Sequence, residues 1–200
     1  MSLNLTPLGG DTFNRPDESP LDPTIWQSIS PEDTMQIVNN VCVPSDLEIG
    51  CLEQFLVTAP NDQYAQCTVA SLSGDADIFF RLRFTDLNNN YAFDFGPEAG
   101  GDMFFSIVVR STEGGFVALY EALLPTIQVG DILVADIVGS TLSAYQNGNL
   151  LVSVTDPNAT LASGSVAFGM DAEAWTCKAA GSGIKDMSEE PKRIFKKPSR

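Results

Sequence analysis

The chemistry open to this chain is limited first by its lack of histidine. The 200-residue sequence contains no histidine and four cysteines, Cys42, Cys51, Cys67 and Cys177. Histidine is the most common general base and the usual partner of a nucleophilic serine or cysteine. Because the cysteines form no Cys-x-x-Cys pair, a zinc site is not expected either. Carboxylates, lysine, tyrosine and thiols are therefore the groups left for chemistry.

The cysteines allow three disulfide pairings, and the sequence does not select one. Cys42 and Cys51 could face each other across a short hairpin, and Cys67 could meet Cys177 if the first and last strands are neighbours. The N-terminal residues show neither the basic nor the apolar region of a Sec signal peptide, and export would have favoured disulfides. We therefore expect reduced, buried thiols.

Two short acidic segments carry oxygen ligands at alternate positions, a spacing that suits Ca²⁺. The first contains Asp75 and Asp77, and the second contains Asp86, Asn88 and Asn90. The second segment lacks the central glycine and the final glutamate of an EF-hand loop. Such residues are also typical of ordinary hairpin turns. Ca²⁺ is the cofactor hypothesis, and no cofactor is expected to be required.

Charge divides the chain into an acidic body and a basic tail. Residues 1–177 hold 4 basic and 23 acidic side chains, whereas residues 178–200 hold 7 basic and 3 acidic ones. Because a body with this excess of acidic side chains repels phosphate backbones and anionic lipid, we expect it to bind neither nucleic acid nor a membrane surface. No apolar run approaches the ~18 residues of a membrane span.

Short alternating segments separated by turn residues predict an antiparallel β-sandwich. Residues 77–85 place Ile78, Phe80 and Leu82 on one face, and two similar segments follow, so the three predict a meander. Gly139-Ser140 and Asn147-Gly148 predict two tight hairpins, because glycine and asparagine tolerate the positive φ of such turns. We expect about a dozen strands in two layers.

Three parts of the chain follow from this pattern. Residues 1–10 are expected to be an N-terminal arm, 11–178 the globular domain, and 179–200 a flexible linker and basic tail.

The opening segment, with Asp11, Phe13, Asn14, Arg15 and Trp26, resembles the opening motif of concanavalin A-like lectin/glucanase modules of the laminin-G-like type. Later segments agree with that group's recurring order, and the resemblance covers about residues 11–177. It implies an all-β jelly roll of two antiparallel sheets, one of them concave. Because this fold carries lectins, glycosidases, lyases and structural virion modules, it implies little about activity.

The best-known enzymes of this group are the family 16 glucanases, whose motif strand has the pattern Glu-x-Asp-x-(x)-Glu. Here the segment from Glu48 to Glu53 has similar spacing, but Gly50 stands where the supporting aspartate belongs, and the segment comes earlier in the chain. Retaining hydrolysis needs two carboxyl groups about 5 to 5.5 Å apart with opposed pKa shifts. We therefore expect no enzymatic activity.

Glycan binding would need exposed aromatic rings beside polar side chains. The outward phase of consecutive predicted strands carries Arg81, Arg83, Asp94 and Arg110, near Tyr91, and these residues could line the concave face. The alternative is a ladder of cross-strand ion pairs without a ligand.

The tail offers a partner-docking segment, Lys192, Arg193, Ile194, Phe195, Lys196 and Lys197. Its basic charge could hold it on the acidic body of another subunit of a particle or homo-oligomer. The leading interpretation is a non-catalytic surface module of a particle such as a phage virion, facing the virion or extracellular surface. A glycan-binding adhesion module is the alternative, and a glucanase-type hydrolase is the third.

Overall fold

A computed structural model describes residues 5–29, 34–45, 51–56, 59–71, 77–97, 103–124, 126–170 and 176–185. In this part of the chain there is no helix able to span a membrane. The fifteen strands are β1 (Leu5–Asp11), β2 (Trp26–Ser28), β3 (Met35–Val38), β4 (Val41–Pro44), β5 (Cys51–Phe55), β6 (Gln63–Ser71), β7 (Ile78–Asp86), β8 (Asn89–Pro97), β9 (Met103–Ser111), β10 (Gly115–Leu124), β11 (Ile132–Val138), β12 (Thr141–Gln146), β13 (Asn149–Thr155), β14 (Ser165–Met170) and β15 (Thr176–Lys185).

The strands form two antiparallel sheets, as the sequence predicts. The eight-stranded sheet has the order β13-β12-β11-β6-β15-β4-β3, with β1 also paired to β15. The seven-stranded sheet has the order β10-β9-β8-β7-β14-β5-β2. The fold is an all-β jelly-roll sandwich, and one apolar core joins residues of both sheets.

Phenylalanine fills much of the core because alternate residues of each strand point inward. Phe80, Phe93, Phe95 and Phe105 of the seven-stranded sheet are fully buried. The ring centroids of Phe95 and Phe105 lie 4.5 Å apart. This packing confirms the inward phase predicted for β7, β8 and β9, and it leaves the other phase on the outer face.

Both predicted hairpins form. Asn147 and Gly148 have φ values of 52° and 77°, and Gly139 has a φ of 57°. These turns join β11 to β12 in continuous register and β12 to β13 with a register shift between Ala144 and Tyr145.

Both ends of the chain differ from the expected arm and linker. Residues 5–11 form β1, and the Ala-Ala-Gly-Ser-Gly segment expected to be a linker lies inside β15. The backbone of β15 pairs with β6, β4 and β1. Glycine and serine suit a flexible linker, but they also suit a strand whose neighbours supply backbone partners on both sides. The described chain therefore remains in a strand up to Lys185, and the predicted docking segment lies outside the described residues.

The cysteine arrangement also differs from the hairpin that the sequence suggests. Cys42 lies in β4 of one sheet and Cys51 in β5 of the other. Among the described residues, Cys42, Cys51 and Cys67 are buried thiols rather than disulfides. Burial raises the pKa of the Cys42 thiol well above its ordinary value, so it stays protonated.

The opening motif closes one side of the core through Asp11. Its carboxylate accepts hydrogen bonds from Trp26 Nε1 at 3.0 Å and from the Phe13 amide at 2.8 Å. Arg15 Nη1 lies 2.6 Å from the same carboxylate. The Trp26 ring packs against Phe13 and Phe55, with centroids 6.1 and 5.0 Å away. The motif residues therefore have a structural role here.

Glu53 is a carboxylic acid inside the core. It follows the inward phase of β5, is 2% exposed, and accepts a hydrogen bond from the Met35 amide at 3.0 Å. Burial raises the pKa of Glu53 from 4.5 to about 7, against the smaller opposing effect of that hydrogen bond. The folded protein therefore holds a proton on Glu53 that the unfolded chain loses at lower pH.

This burial predicts a specific pH dependence of stability. Below pH 4.5 Glu53 is protonated in both states, and between 4.5 and about 7 the unfolded chain ionises first, so the free energy of unfolding falls. Glu53→Gln should remove this decline, which amounts to at most about 3 kcal/mol. Urea unfolding of both proteins from pH 4.5 to 8 measures the difference.

A matched control is Glu113→Gln, which removes a carboxylate from an exposed turn. It should leave the decline in place. An unchanged pH profile in Glu53→Gln would contradict the assignment.

Candidate ligand-binding face

The outer face of the seven-stranded sheet is organised in cross-strand rows. Since Phe80, Phe93 and Phe105 point inward, their neighbours along β7, β8 and β9 point outward. The middle row contains Ala167, Arg81, Ala92, Val108 and Ala118, each opposite the next.

Longer side chains flank this row on both sides. On one side lie Phe79, Asp94, Ser106 and Glu121, and on the other lie Asn90, Arg110 and Phe116. Ala92 and Val108 are only 0% and 1% exposed although they point outward. Neighbouring groups therefore cover both residues, and the exposed part of the middle row is Ala118 at its β10 end. We call this row the cross-strand trough.

Arg81 stands in the trough as part of an ordered stack. It makes an ion pair with Asp94, and its guanidinium carbon lies 4.5 Å from the centroid of the Phe79 ring. Phe79 lies against Gly169, where a Cβ atom would come within 1.9 Å of the ring. The stack fixes Arg81 and Asp94, so this predicted pair is brought together on the outer face.

Arg110 has a different environment, although it belongs to the same face. Its guanidinium carbon lies 5.3 Å from the centroid of Phe116, a ring that is 63% exposed. The buried Nε of Arg110 has no hydrogen-bond partner among the described residues. The side-chain oxygen of Asn90, directly opposite Arg110 in the sheet, is also buried without a partner there.

Arg83 does not lie on this face, contrary to the sequence-based expectation. The pairing of β7 with β8 shifts between Leu82 and Asp86, and Arg83 has a φ of 46°. This bulge turns the side chain toward one end of the sandwich, where it is 3% exposed.

The guanidinium of Arg83 donates hydrogen bonds to three backbone carbonyls. Its nitrogens donate to the carbonyl oxygens of Asn61, Leu161 and Gly139 at 2.9, 2.7 and 2.7 Å. Arg83 thus joins three loops. Beside it lies an open depression of about 690 Å³, lined by Pro60, Asn61, Asp62, Arg83, Gly139, Ala159, Leu161 and Ala162.

Tyr91 also lies away from the outer face. Its ring is fully buried, and its hydroxyl donates to the Asp156 carboxylate at 2.7 Å and accepts from the Leu161 amide at 3.2 Å. Burial raises the pKa of Tyr91 to about 12. Tyr91 lies between the outward-pointing Asn90 and Ala92, so its ring points inward. It therefore offers no exposed surface on which a sugar could pack.

The candidate calcium residues make local turn contacts. The Asp86 carboxylate accepts from the Asn88 amide at 2.7 Å and from the Asn89 side chain, and these bonds lower its pKa. The Asn90 amide donates to the Asp86 and Leu87 carbonyls. Among the residues that the structure describes, no three acidic or cysteine side chains gather as a metal site. Asp75 lies outside the described residues, Asp77 precedes β7, and Ca²⁺ binding stays a prediction.

The candidate catalytic pair is not assembled in the described part of the chain. Glu53 points into the core rather than to either outer face, and Glu48 lies outside the described residues.

Sequence reasoning missed the contribution of β10 to this face. Phe116, Ala118 and Glu121 all point outward because the register shifts between Ala118 and Tyr120. A bulge breaks the alternation of β10, so its sequence shows no period of two. The glycines before Phe116 and the long apolar run were the only signals of an additional strand.

Arg83 yields a stability prediction. Lysine keeps the charge but lacks the guanidinium fork that reaches three carbonyls, so Arg83→Lys should lower the free energy of unfolding by about 2 to 4 kcal/mol. Arg110→Lys is the matched control and should not lower it, because Arg110 has no carbonyl or carboxylate partner among the described residues and the change removes a buried nitrogen without a partner. Urea unfolding compares them, and equal effects would contradict the structural role of Arg83.

Solved structures with the same fold include binding modules and enzymes. The carbohydrate binding module CBM66 from Bacillus subtilis has a TM-score of 0.57 and 13% identity, with 80% of this chain and 92% of that chain covered. The CBM2 module of the Lactobacillus casei BL23 phage J-1 evolved Dit has a TM-score of 0.63 and 11% identity, covering 93% and 99%. The endo-β-1,3-glucanase from Pyrococcus furiosus has a TM-score of 0.62 and 9% identity, covering 91% and 95%.

At the sequence level no family model and no curated protein matches the chain. The structural matches agree with the resemblance of the opening motif. Because their sequence identity is low, they show the fold alone. This chain has the concanavalin A-like jelly-roll fold that these binding modules and glucanases share.

Proposed function

We propose that this protein is a non-catalytic carbohydrate-binding module that contacts an oligosaccharide through the cross-strand trough. The observation that carries the proposal is the exposed β10 end of the trough, where a small residue lies between an aromatic and an acidic side chain. Ala118 is exposed and leaves room for a sugar ring there, and the exposed Phe116 and Glu121 on either side of it supply contacts.

The groups beside the trough match the chemistry of sugars. Sugar hydroxyls donate to carboxylates such as Asp94 and Glu121 and accept from guanidinium groups such as Arg81. The C–H faces of sugar rings pack on aromatic rings, and Phe116 presents such a ring at one side. Similar structures that include a carbohydrate binding module and glucanases also favour a glycan ligand.

A substitution that fills the trough tests this proposal. Ala118 is exposed, so Ala118→Trp should block the trough with little effect on folding, and affinity for a bound oligosaccharide should fall at least tenfold. The ligand is first selected on a broad glycan array, and affinity is then measured by calorimetry.

Ala162→Trp is the matched control because it places the same ring in the depression beside Arg83. It should leave the affinity unchanged. Loss of binding in Ala162→Trp alone would place the ligand in that depression, and no binding across the array would contradict the function itself.

The second candidate is a structural module of a particle such as a phage virion, with the tail docked on a neighbouring subunit. Two observations favour it: the opposite charges of tail and body, and the similarity of the fold to a module of a phage Dit protein. Lys192, Arg193, Lys196 and Lys197 would contact an acidic body, and Ile194 and Phe195 would supply the apolar contact.

A shortened chain tests the role of the tail. Deletion of residues 186–200 keeps all of β15, so the unfolding midpoint should stay the same. A labelled peptide of residues 186–200 should bind this shortened body, and binding should weaken from 50 to 500 mM salt because the attraction is largely electrostatic. Fluorescence anisotropy measures both, and a peptide that does not bind would reject the docking role.

A further inference from the structure

The basic side chains of the body differ in their bonding partners. There are four of them: Arg15, Arg81, Arg83 and Arg110. Arg15 pairs with Asp11 and Glu18, Arg81 pairs with Asp94, and Arg83 is bound by three carbonyls. Within the described residues, Arg110 is the one without a carboxylate or carbonyl partner. An arginine without an ion pair forgoes a favourable interaction that the many acidic groups of the body could supply.

The surroundings of Arg110 also contain two unmade hydrogen bonds. Its Nε is a buried donor and the Asn90 side-chain oxygen a buried acceptor, and neither has a partner among the described residues. The two residues stand directly opposite each other in β8 and β9. The Asn90 nitrogen donates to two carbonyls, which fixes its oxygen as the free acceptor. Each unmade bond costs about 1 to 3 kcal/mol.

We infer that Arg110 is the anchor of a subsite for a carboxylate-bearing sugar, and this inference rests on the proposed glycan-binding function. Movement of Nε to the Asn90 oxygen would satisfy both buried atoms and would aim the terminal nitrogens away from Asn90. Those nitrogens match a planar carboxylate in the two-point geometry that guanidinium groups favour.

Phe116 completes the subsite. Its ring packs beside the guanidinium and is mostly exposed, so a sugar ring whose carboxylate reaches Arg110 can place its C–H face on the same aromatic surface. Ala118, the β10 end of the trough, lies two residues further along the same strand. The acidic sugar is therefore held at the edge of the trough, and neutral sugars follow along it.

The charge of the body restricts the ligand further. A densely charged polyanion would be repelled by the 23 acidic side chains of residues 1–177, whereas an isolated carboxylate interacts mainly with its nearest charges at physiological salt. The expected ligand is thus an oligosaccharide in which uronic acids alternate with neutral sugars.

The experiment compares acid and ester forms of one ligand. An array of uronic acid-containing and neutral oligosaccharides selects ligands, and each acidic hit is measured by calorimetry as the free acid and as its methyl ester. Esterification removes the charge but keeps the ring, so the affinity should fall at least tenfold. Arg110→Gln should cause a similar loss, and esterification should then have little further effect.

Arg110→Lys keeps the charge but loses the two-point geometry, so its affinity should lie between those of the wild type and Arg110→Gln. Circular dichroism and urea unfolding check that each variant is folded. If only neutral glycans bind, or if Arg110→Gln leaves the acid and ester affinities unchanged, the subsite is wrong while the glycan-binding function stands. If no glycan of either kind binds, both proposals fail.

Discussion

Positive charge is the scarce resource of this molecule, and its placement determines which surfaces can bind a ligand. The body has four basic side chains, and the fold commits three of them to oxygen atoms that are buried or half-buried. Arg15 supports the opening motif, and Arg83 joins three loops at one end. Removing either would leave oxygen atoms without a donor, so these two arginines belong to the fold.

The outer face of the seven-stranded sheet is a consequence of how the core is packed. Because the phenylalanines of β8 and β9 point inward, the residues between them point outward. Among these, the small Ala92 and Val108 lie opposite each other. The residues of the trough therefore belong to the strands of the sheet. Its floor has the stability of the central strands, which limits the entropy that a ligand must remove on binding.

The sequence predicts the parts of this architecture that obey local rules. The period of two in β7, β8 and β9 and the Asn147-Gly148 turn depend on neighbouring residues only, and both are confirmed. The outer-face positions expected for Arg83 and Tyr91 are wrong, because a bulge after Leu82 rotates the first side chain and the second is buried in the core. The partners of β15 are distant in sequence, so composition alone could not distinguish this strand from a linker.

Glu53 and Arg110 illustrate why a perturbed environment is not in itself a sign of catalysis. A carboxyl group with a pKa of about 7 could serve as a general acid or base at neutral pH, but Glu53 is enclosed by the core and one of its two oxygens accepts a hydrogen bond from the Met35 amide. Arg110 combines a partly exposed side chain with unmade polar contacts and a free aromatic neighbour. The solvent exposure of a group, rather than the size of its pKa shift, therefore decides whether it can contact a ligand.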